Sequence, residues 1–349
     1  PYDEQTQSWT STSSYPNTKL KPERTKSWEV GLDARILNDI SLNLTYYRSN
    51  TYNQTFYADL SLSSGYSNIP IQSGNIMNEG LEMSLGYNKQ WKDFSFNTNY
   101  TLTWNKNRVK RLADGVYNYA TGQPIQMPEL SPLTYGHTDA RLILRVGGSM
   151  GDVYGQRLLK RDLNGYILNE EGVGLAMENK ETYLGSILPK MNMGWSLGFG
   201  YKGVNLGMTF TGRFGGIVIS ETQSVLDAAG VSKVSADVRD AGGVQINQSK
   251  VSAQTYYQTI QGTAAYYTYS ATNVRLGELS LSYTLPKKWF DNKVGMTVGL
   301  VGKNLWMIYC KAPFDPELTT SAASNFYQGF DAYMLPSTRN FGFNVKFQF

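Results

Sequence analysis

Hydrophobic and polar positions alternate with a period of two through most of the chain. The ending is the plainest case. In FGFNVKFQF, residues 341–349, Phe341, Phe343, Val345, Phe347 and Phe349 share one parity, and Gly342, Asn344, Lys346 and Gln348 share the other. Successive side chains of a strand point to opposite faces, so this segment has one apolar face and one polar face. Trp28, Val30, Leu32, Ala34 and Ile36 repeat the pattern against Ser27, Glu29, Gly31, Asp33 and Arg35. Phe94, Phe96, Tyr100, Leu102 and Trp104 do so against Ser95, Asn97, Asn99, Thr101 and Thr103. Met193, Trp195, Leu197, Phe199 and Tyr201 oppose Gly194, Ser196, Gly198 and Gly200. After Val294, Met296, Val298 and Leu300 the phase slips between Val301 and Leu305, which predicts a β-bulge.

Eleven strands are predicted, near 24–36, 40–57, 71–90, 93–110, 140–147, 152–161, 190–202, 204–214, 273–285, 293–310 and 337–349. Their connections alternate in length. Leu37-Asn38-Asp39, Gln90-Trp91-Lys92, Lys202-Gly203 and Pro286 to Asn292 are short, whereas 58–70, 111–139, 162–189, 215–270 and 311–336 are long. The fifth and sixth strands carry the weakest pattern. They are divided between Gly147 and Gly151 because the alternation of loop lengths calls for a short turn there. Long strands, aromatics near their ends and turns short on one side only predict an all-β fold: a transmembrane antiparallel β-barrel of an outer membrane. The apolar faces then meet lipid and the Ser, Asn, Thr and Gly faces meet a watery lumen. Slipping the last strand by one residue would put Lys346 into lipid, at about 2–4 kcal/mol near the midplane. Eleven antiparallel strands do not close, and each unpaired edge group in lipid costs several kcal/mol. The expectation is therefore the C-terminal part of a barrel, with its remaining strands before Pro1.

Composition supports this picture. Of 349 residues, 34 are Gly and 25 are Tyr; aromatics reach 13%, while charged residues are only 17%, below the roughly 25% of a typical soluble domain. Mean hydropathy is still −0.38, because small polar residues fill the gap. No apolar run is long enough for a transmembrane helix. Net charge is +4, without a basic tract interleaved with aromatics, so nucleic acid is not expected as a partner. One cysteine, Cys310, excludes an internal disulfide, and with one histidine, His137, a zinc site of nitrogen and sulfur ligands is excluded too.

Several stretches resemble a known family. LKPERTKSWEVGLD (20–33), GNIMNEGLEMSLGY (74–87), VGGSMGDVYG (146–155), NVRLGELSLSYTLPKKW (273–289), FDPE (314–317) and RNFGFNVKFQF (339–349) are similar, in this order, to the C-terminal half of SusC/RagA-type TonB-linked outer-membrane transporters. The resemblance implies a 22-stranded barrel closed by an N-terminal plug, of which this chain is the last half. It also implies coupling to the inner-membrane TonB system, a SusD-like surface lipoprotein as lid, and an oligosaccharide or peptide cargo. The plug and the TonB-contacting segment are expected outside this chain. The rivals are a porin or another TonB-dependent receptor without a lid, a surface adhesin or assembly barrel, and a barrel enzyme.

The long loops are rich in aromatics. Tyr117, Tyr119, Tyr135, Tyr266, Tyr267, Tyr269, Phe326, Tyr327 and Tyr333 are the candidates for cargo contact, since flat rings stack on sugar rings; packing between loops is the plainer use of the same rings. Tyr256, Tyr257 and Phe330 share that setting. Phe349 is the candidate barrel-assembly signal, a role the resemblance implies for a terminal aromatic. Val225, Leu226 and Ala228 stand at helical spacing in 220–240 and predict a short helix facing the lid. Asp162, Asn164, Asn169, Glu170 and Glu171 are set around Tyr166, Ile167 and Leu168, which favours a plain turn over a calcium loop. Asp315 and Glu317 flank Pro316 with no base in view, so a turn-organising role is expected, and no catalytic residue, metal or cofactor is assigned.

Overall fold

A computed structural model describes residues 2–3, 8–9, 14–15, 20–59, 66, 68–72, 74–112, 129–170, 174–247, 249–291, 293–318, 320 and 325–349. Its main feature is a 9-stranded antiparallel sheet in which every strand pairs with the next wall strand along the chain. The strands are β1 (Arg24–Ile36), β2 (Ile40–Tyr52), β5 (Asn75–Trp91), β6 (Phe94–Arg111), β11 (Met191–Tyr201), β12 (Val204–Phe214), β15 (Asn273–Thr284), β16 (Gly295–Cys310) and β18 (Asn340–Gln348). Between β2 and β5 lies a separate hairpin, β3 (Thr55–Asp59) and β4 (Asn68–Gln72). No helix among the described residues is long and apolar enough to cross a membrane.

The register places the expected faces as the alternation requires. Val30, Tyr46, Leu81, Trp104, Met191 and Phe214 form one continuous outward row across six strands. On β6 the apolar belt runs from Phe94 to Trp104. At about 3.3 Å per residue that is roughly 33 Å of strand, which a tilt of about 40° shortens to about 25 Å, the height of an outer-membrane apolar band. Aromatics mark its lower edge, where Trp91 stacks on Phe94 at 5.7 Å and Phe96 meets Phe199 at 5.1 Å. Thr98 is the polar residue on this face of β6. Its hydroxyl accepts from the Trp195 indole N–H (2.9 Å) and donates to the Ser196 carbonyl (3.0 Å), so neither group is left unsatisfied in lipid.

The inner face is polar and closely built. Tyr47, Gly80 and Asn105 stand in one row. The Tyr47 ring crosses Gly80 to donate its hydroxyl to Asn105 Oδ1 at 3.0 Å. A Cβ on Gly80 would lie 2.5 Å from that hydroxyl and 2.6 Å from the Trp104 carbonyl, so only glycine fits. The slip in β16 is a bulge: Leu276 pairs with Trp306 and Glu278 with Lys303, and Asn304 takes φ 52°.

The strand count needs correcting. All eleven predicted segments contain strands, but only nine share the wall. The fifth and sixth appear as β8 (Arg141–Arg145) and β9 (Asp152–Leu159), in a separate 4-stranded sheet with β7 (Glu129–Thr134) and β10 (Met177–Ser186). β6 pairs directly with β11, from Trp104↔Met191 to Phe94↔Tyr201. The loops expected at 111–139 and 162–189 are therefore parts of one excursion, 112–190. Loop parity could not reveal this, because removing two adjacent strands preserves the alternation of short and long connections. The four excursions, 53–74, 112–190, 215–272 and 311–339, all leave from the same end of the wall.

A lysine at mid-belt tests the faces. Leu197→Lys should destabilise the full-length protein by about 2–4 kcal/mol in a denaturant titration followed by gel mobility. Ser196→Lys, one residue away on the inner face, should cost well under half of that. Equal costs would refute the assignment.

Candidate functional site

The wall presents its large side chains outward, and the fully buried residues concentrate in the excursions. These pack on one another as a cap. Tyr135, Leu142, Val153, Ile187, Ile219 and Phe330 make one buried cluster, drawn from three excursions. Phe56, Ile71, Ile76, Leu130 and Leu144 make a second, which adds the β3–β4 hairpin and the start of β5. A small 3-stranded sheet stitches two excursions: β13 (Ile217–Ser220) lies between β14 (Thr268–Ser270) and β17 (Phe330–Asp331), with Ile219↔Phe330 paired in parallel. Arg145 joins strands of the other sheet, reaching Glu129 on β7 and Glu181 on β10 (2.8 Å) while its guanidinium lies 4.5 Å from the Tyr154 ring.

Helices cap this mass. The predicted helix in 220–240 is two, α1 (Glu221–Ala228) and α2 (Lys233–Asp240), followed by α3 (Ala253–Ile260). Each starts at a serine, Ser220, Ser232 or Ser252, whose hydroxyl accepts from an N–H three residues on. The buried face of α1 is its polar one. Glu221, Ser224 and Asp227 are buried, while Leu226 is exposed. Polar anchoring explains it. The Glu221 carboxylate accepts from the Tyr333 hydroxyl (3.3 Å) and the His137 N–H (3.4 Å), and Ser220 donates to Asp331 (2.6 Å).

Most of the aromatic candidates serve this cap. Tyr135 is fully buried, donates its hydroxyl to the Phe326 carbonyl (2.7 Å) and packs edge-on to Tyr327 (6.2 Å). Tyr267 is 2% exposed in a third cluster with Tyr257 and Leu159. Neither offers a ring face to a ligand. Tyr266 is partly buried and its hydroxyl accepts from the Leu159 N–H (3.1 Å). Tyr269 stands edge-on to Phe314 at 5.6 Å; burial, and then the charge of Asp227, push its hydroxyl up to about 12. Phe326 and Tyr327 pack against the first cluster. Tyr333 is different. It is 59% exposed and held at φ 55°, a strained setting for a bulky residue. Its N–H donates to Thr222 Oγ1 (2.7 Å). Tyr117 and Tyr119 lie outside the described residues.

In the turn at 162–166, Asp162 Oδ1 accepts from the N–H groups of Asn164 (2.8 Å) and Tyr166 (2.9 Å). Its carboxylate thus organises the turn; Glu171 and the side chains of Asn169 and Glu170 lie outside the description.

Where cap meets wall, a cavity of about 550 Å³ opens in the gap above the β6–β11 ladder, lined by Asn107, Arg108, Ser149, Asp152, Tyr183 and Lys190 among others. Its floor is fixed by hydrogen bonds from the 147–152 turn to β6: Val109 N–H to the Gly148 carbonyl (2.8 Å) and Met150 N–H to Asn107 Oδ1 (2.7 Å). Asp152 is buried and accepts from Ser149 N–H (2.8 Å) and the Tyr183 hydroxyl (3.1 Å); burial raises its carboxyl against these two bonds. Amide, hydroxyl, carboxylate and cationic groups share this lining with Leu188, Pro189 and Ile217, a setting for hydrogen bonding. No group of three potential metal ligands gathers among the described residues.

One arrangement went unread in the sequence, although both of its parts were noticed. Arg275, from NVRLGELS, forms a bidentate pair with Asp315 of FDPE (2.9 and 2.8 Å) and reaches Glu317 at 3.2 Å. Buried Asn273 donates to Glu317 Oε1 (3.1 Å). The side chains of Arg275 and Asp315 are only 11% and 8% exposed. The carboxylates thus tie the last excursion to β15, a stronger form of the turn role expected of them. Burial alone would raise Asp315, but the Arg275 guanidinium and the Glu317 N–H outweigh it and hold its carboxyl below the ordinary value.

With this geometry in view, the comparisons are specific. A family model for the β-barrel of TonB-dependent receptor-like proteins matches residues 1–305. TonB-dependent receptor P3 of Formosa agariphila is 26% identical across 95% of this chain and 35% of its own length. TonB-dependent receptor P26 of the same organism is 24% identical across the same shares. The chain thus spans about 35% of the length of these curated relatives. Among solved structures, the RagAB peptide importer in its open-open state aligns with TM-score 0.67 at 19% identity, over 97% of this chain and 36% of that one. In the closed-closed state the values are 0.65, 18%, 93% and 35%. These structural likenesses establish the fold.

Removing one partner of a buried bidentate pair costs about 3–5 kcal/mol. Arg275→Gln should therefore cut hydrogen-exchange protection around residues 311–318 by at least a hundredfold. The depressed Asp315 carboxyl gives a sign for pH. Its contribution is complete above the ordinary aspartate value of about 3.9 and is lost as pH falls through its own lower value. Hydrogen-exchange protection of residues 311–318, corrected for intrinsic exchange, should therefore fall only below about pH 4; protection that is flat with pH would remove the anchor role.

Proposed function

Because the chain belongs to the TonB-dependent receptor-like β-barrel family, we propose that it forms part of the wall and outer mouth of an outer-membrane importer. The cargo proposed is an oligosaccharide, drawn in under a SusD-like surface lipoprotein and released inward by the TonB system. The remaining wall, the plug and the TonB-contacting segment belong in this proposal to sequence outside the chain, and the short turns face the periplasm. Phe349 acts as the assembly signal. No catalytic step is assigned.

The observation that carries the reading is the two-faced wall with every long excursion gathered at one end. The inner face of β6, β11 and β12 is uncharged from Ser95 to Asn107 and from Asn192 to Gly200, and up to Thr211 on β12. Amides and hydroxyls on such a surface suit a neutral, hydroxyl-rich cargo better than a charged one. A peptide is the second reading, favoured by the likeness to the RagAB peptide importer. Of the aromatic candidates, Tyr333 is the one we place in contact with cargo, since its strained backbone holds an exposed ring at the cap surface. Tyr266, Tyr269, Phe326 and Tyr327 pack within the cap. Tyr117 and Tyr119 remain cargo candidates on sequence grounds.

A mild-detergent pull-down of the full-length protein should recover a stoichiometric surface lipoprotein, whose glycan or peptide binding then decides the cargo class. A barrel recovered alone would favour a receptor without a lid. Tyr333→Ala should weaken cargo binding by about 1 kcal/mol, roughly fivefold, and Tyr135→Phe, inside the cap, should leave it within twofold.

A further inference from the structure

We infer that the outward face of β1, β2, β5 and β6, just above the aromatic edge of the apolar belt, binds the phosphorylated headgroup of a membrane lipid. The row above Val30, Tyr46, Leu81 and Trp104 is Trp28↔Arg48↔Glu79↔Lys106, and the next is Lys26↔Asn50↔Met77↔Arg108. Arg24 on β1, paired with Tyr52, extends the stripe by one more step. Five cations, Arg24, Lys26, Arg48, Lys106 and Arg108, thus share one face with a single carboxylate, Arg108 lining the seam cavity as well. Among the described residues, Lys106 alone of the five has an acidic partner, Glu79 at 3.8 Å. Asn50 and Tyr52 add neutral hydrogen-bonding groups within the stripe.

The placement selects the ligand. Successive rows are about 7 Å apart along a strand, so the stripe begins one step above the last apolar row. A lipid whose acyl chains lie against Val30, Tyr46, Leu81 and Trp104 puts its headgroup there. Guanidinium groups grip phosphate with paired N–H bonds, and basic residues at this height draw anionic lipids. The inference rests on the membrane reading above, in which this end meets the outer leaflet.

The test uses the full-length protein in detergent, with bisphosphorylated lipid A as probe and the same lipid enzymatically stripped of phosphate as control. Native mass spectrometry should find the phosphorylated lipid retained and the stripped lipid lost. The variant Arg24→Gln, Lys26→Gln, Arg48→Gln leaves the Lys106–Glu79 pair and the cavity-lining Arg108 in place. At about fivefold per cation it should weaken retention roughly a hundredfold at low salt. Should that variant fail to fold, retention by the unaltered protein should still fall steeply as NaCl rises toward 1 M. Retention equal in variant and parent, or insensitive to salt, overturns the inference. Equal competition by inorganic phosphate overturns it too, since the site would then be one for the free anion. Reconstitution into vesicles of phosphate-free lipid separates the two readings. If neither parent nor variant inserts, the membrane reading fails and the stripe with it. If both insert and retain lipid A alike, the stripe alone is wrong.

Discussion

Every backbone N–H and C=O that faces lipid needs a partner in the neighbouring strand, and the rest of this molecule follows from that constraint. It forces β6 onto β11 in an unbroken ladder from Trp104↔Met191 to Phe94↔Tyr201, although an excursion of nearly eighty residues, 112–190, separates them. Once the ladder is set, parity assigns each side chain to lipid or lumen. A bulge such as that at Asn304 then resets the parity of its strand, and polar side chains survive on the outer face where they are bonded, as Thr98 is to Trp195.

The same constraint explains where the conventional core is. A wall one sheet thick, with lipid outside, has little interior of its own. The excursions are free of lipid and must bury apolar surface against one another, as any water-soluble domain does. Tyr135, Ile219 and Phe330 meet for that reason, and Arg275 with Asp315 and Glu317 fixes the last excursion to the wall. The cap is thus a folded unit that exposes Tyr333 at its surface and meets the wall at a seam, where Asp152 and Tyr183 line a cavity.

How much of this was legible depended on period and range. The wall strands were readable because a strict period of two survives in Trp28–Ile36 or Met193–Tyr201, and the bulge was readable as a break in that period. The status of β8 and β9 was not, because a strand in a loop sheet and a strand in the wall look alike locally, and parity is blind to the removal of two. The buried face of α1 was not legible, because Glu221 is held by Tyr333 and His137 from distant segments, while Asp227 accepts from Gln223 within the helix. A signal was present in Ser220 to Gln223, which reads as a capping box. For the aromatics, sequence could name the rings but not their neighbours. Tyr135 and Tyr333 are the same residue type in the same kind of loop, and only long-range packing makes one a core residue and the other a surface one.

The hydrogen bond from Tyr135 to the Phe326 carbonyl spans 191 residues, and this has a consequence for biogenesis. Many wall pairs are joined by turns of two or three residues and can zip up locally. The cap cannot begin until excursions from separate strands have all been delivered to the same side. There is therefore a stage at which the wall is inserted while the apolar faces of Leu142, Val153 and Ile219 are still bare to water. Such a species is prone to stick to its neighbours. Closing the cap is thus the late step of assembly, and substitutions within it will show themselves first as lost folded protein.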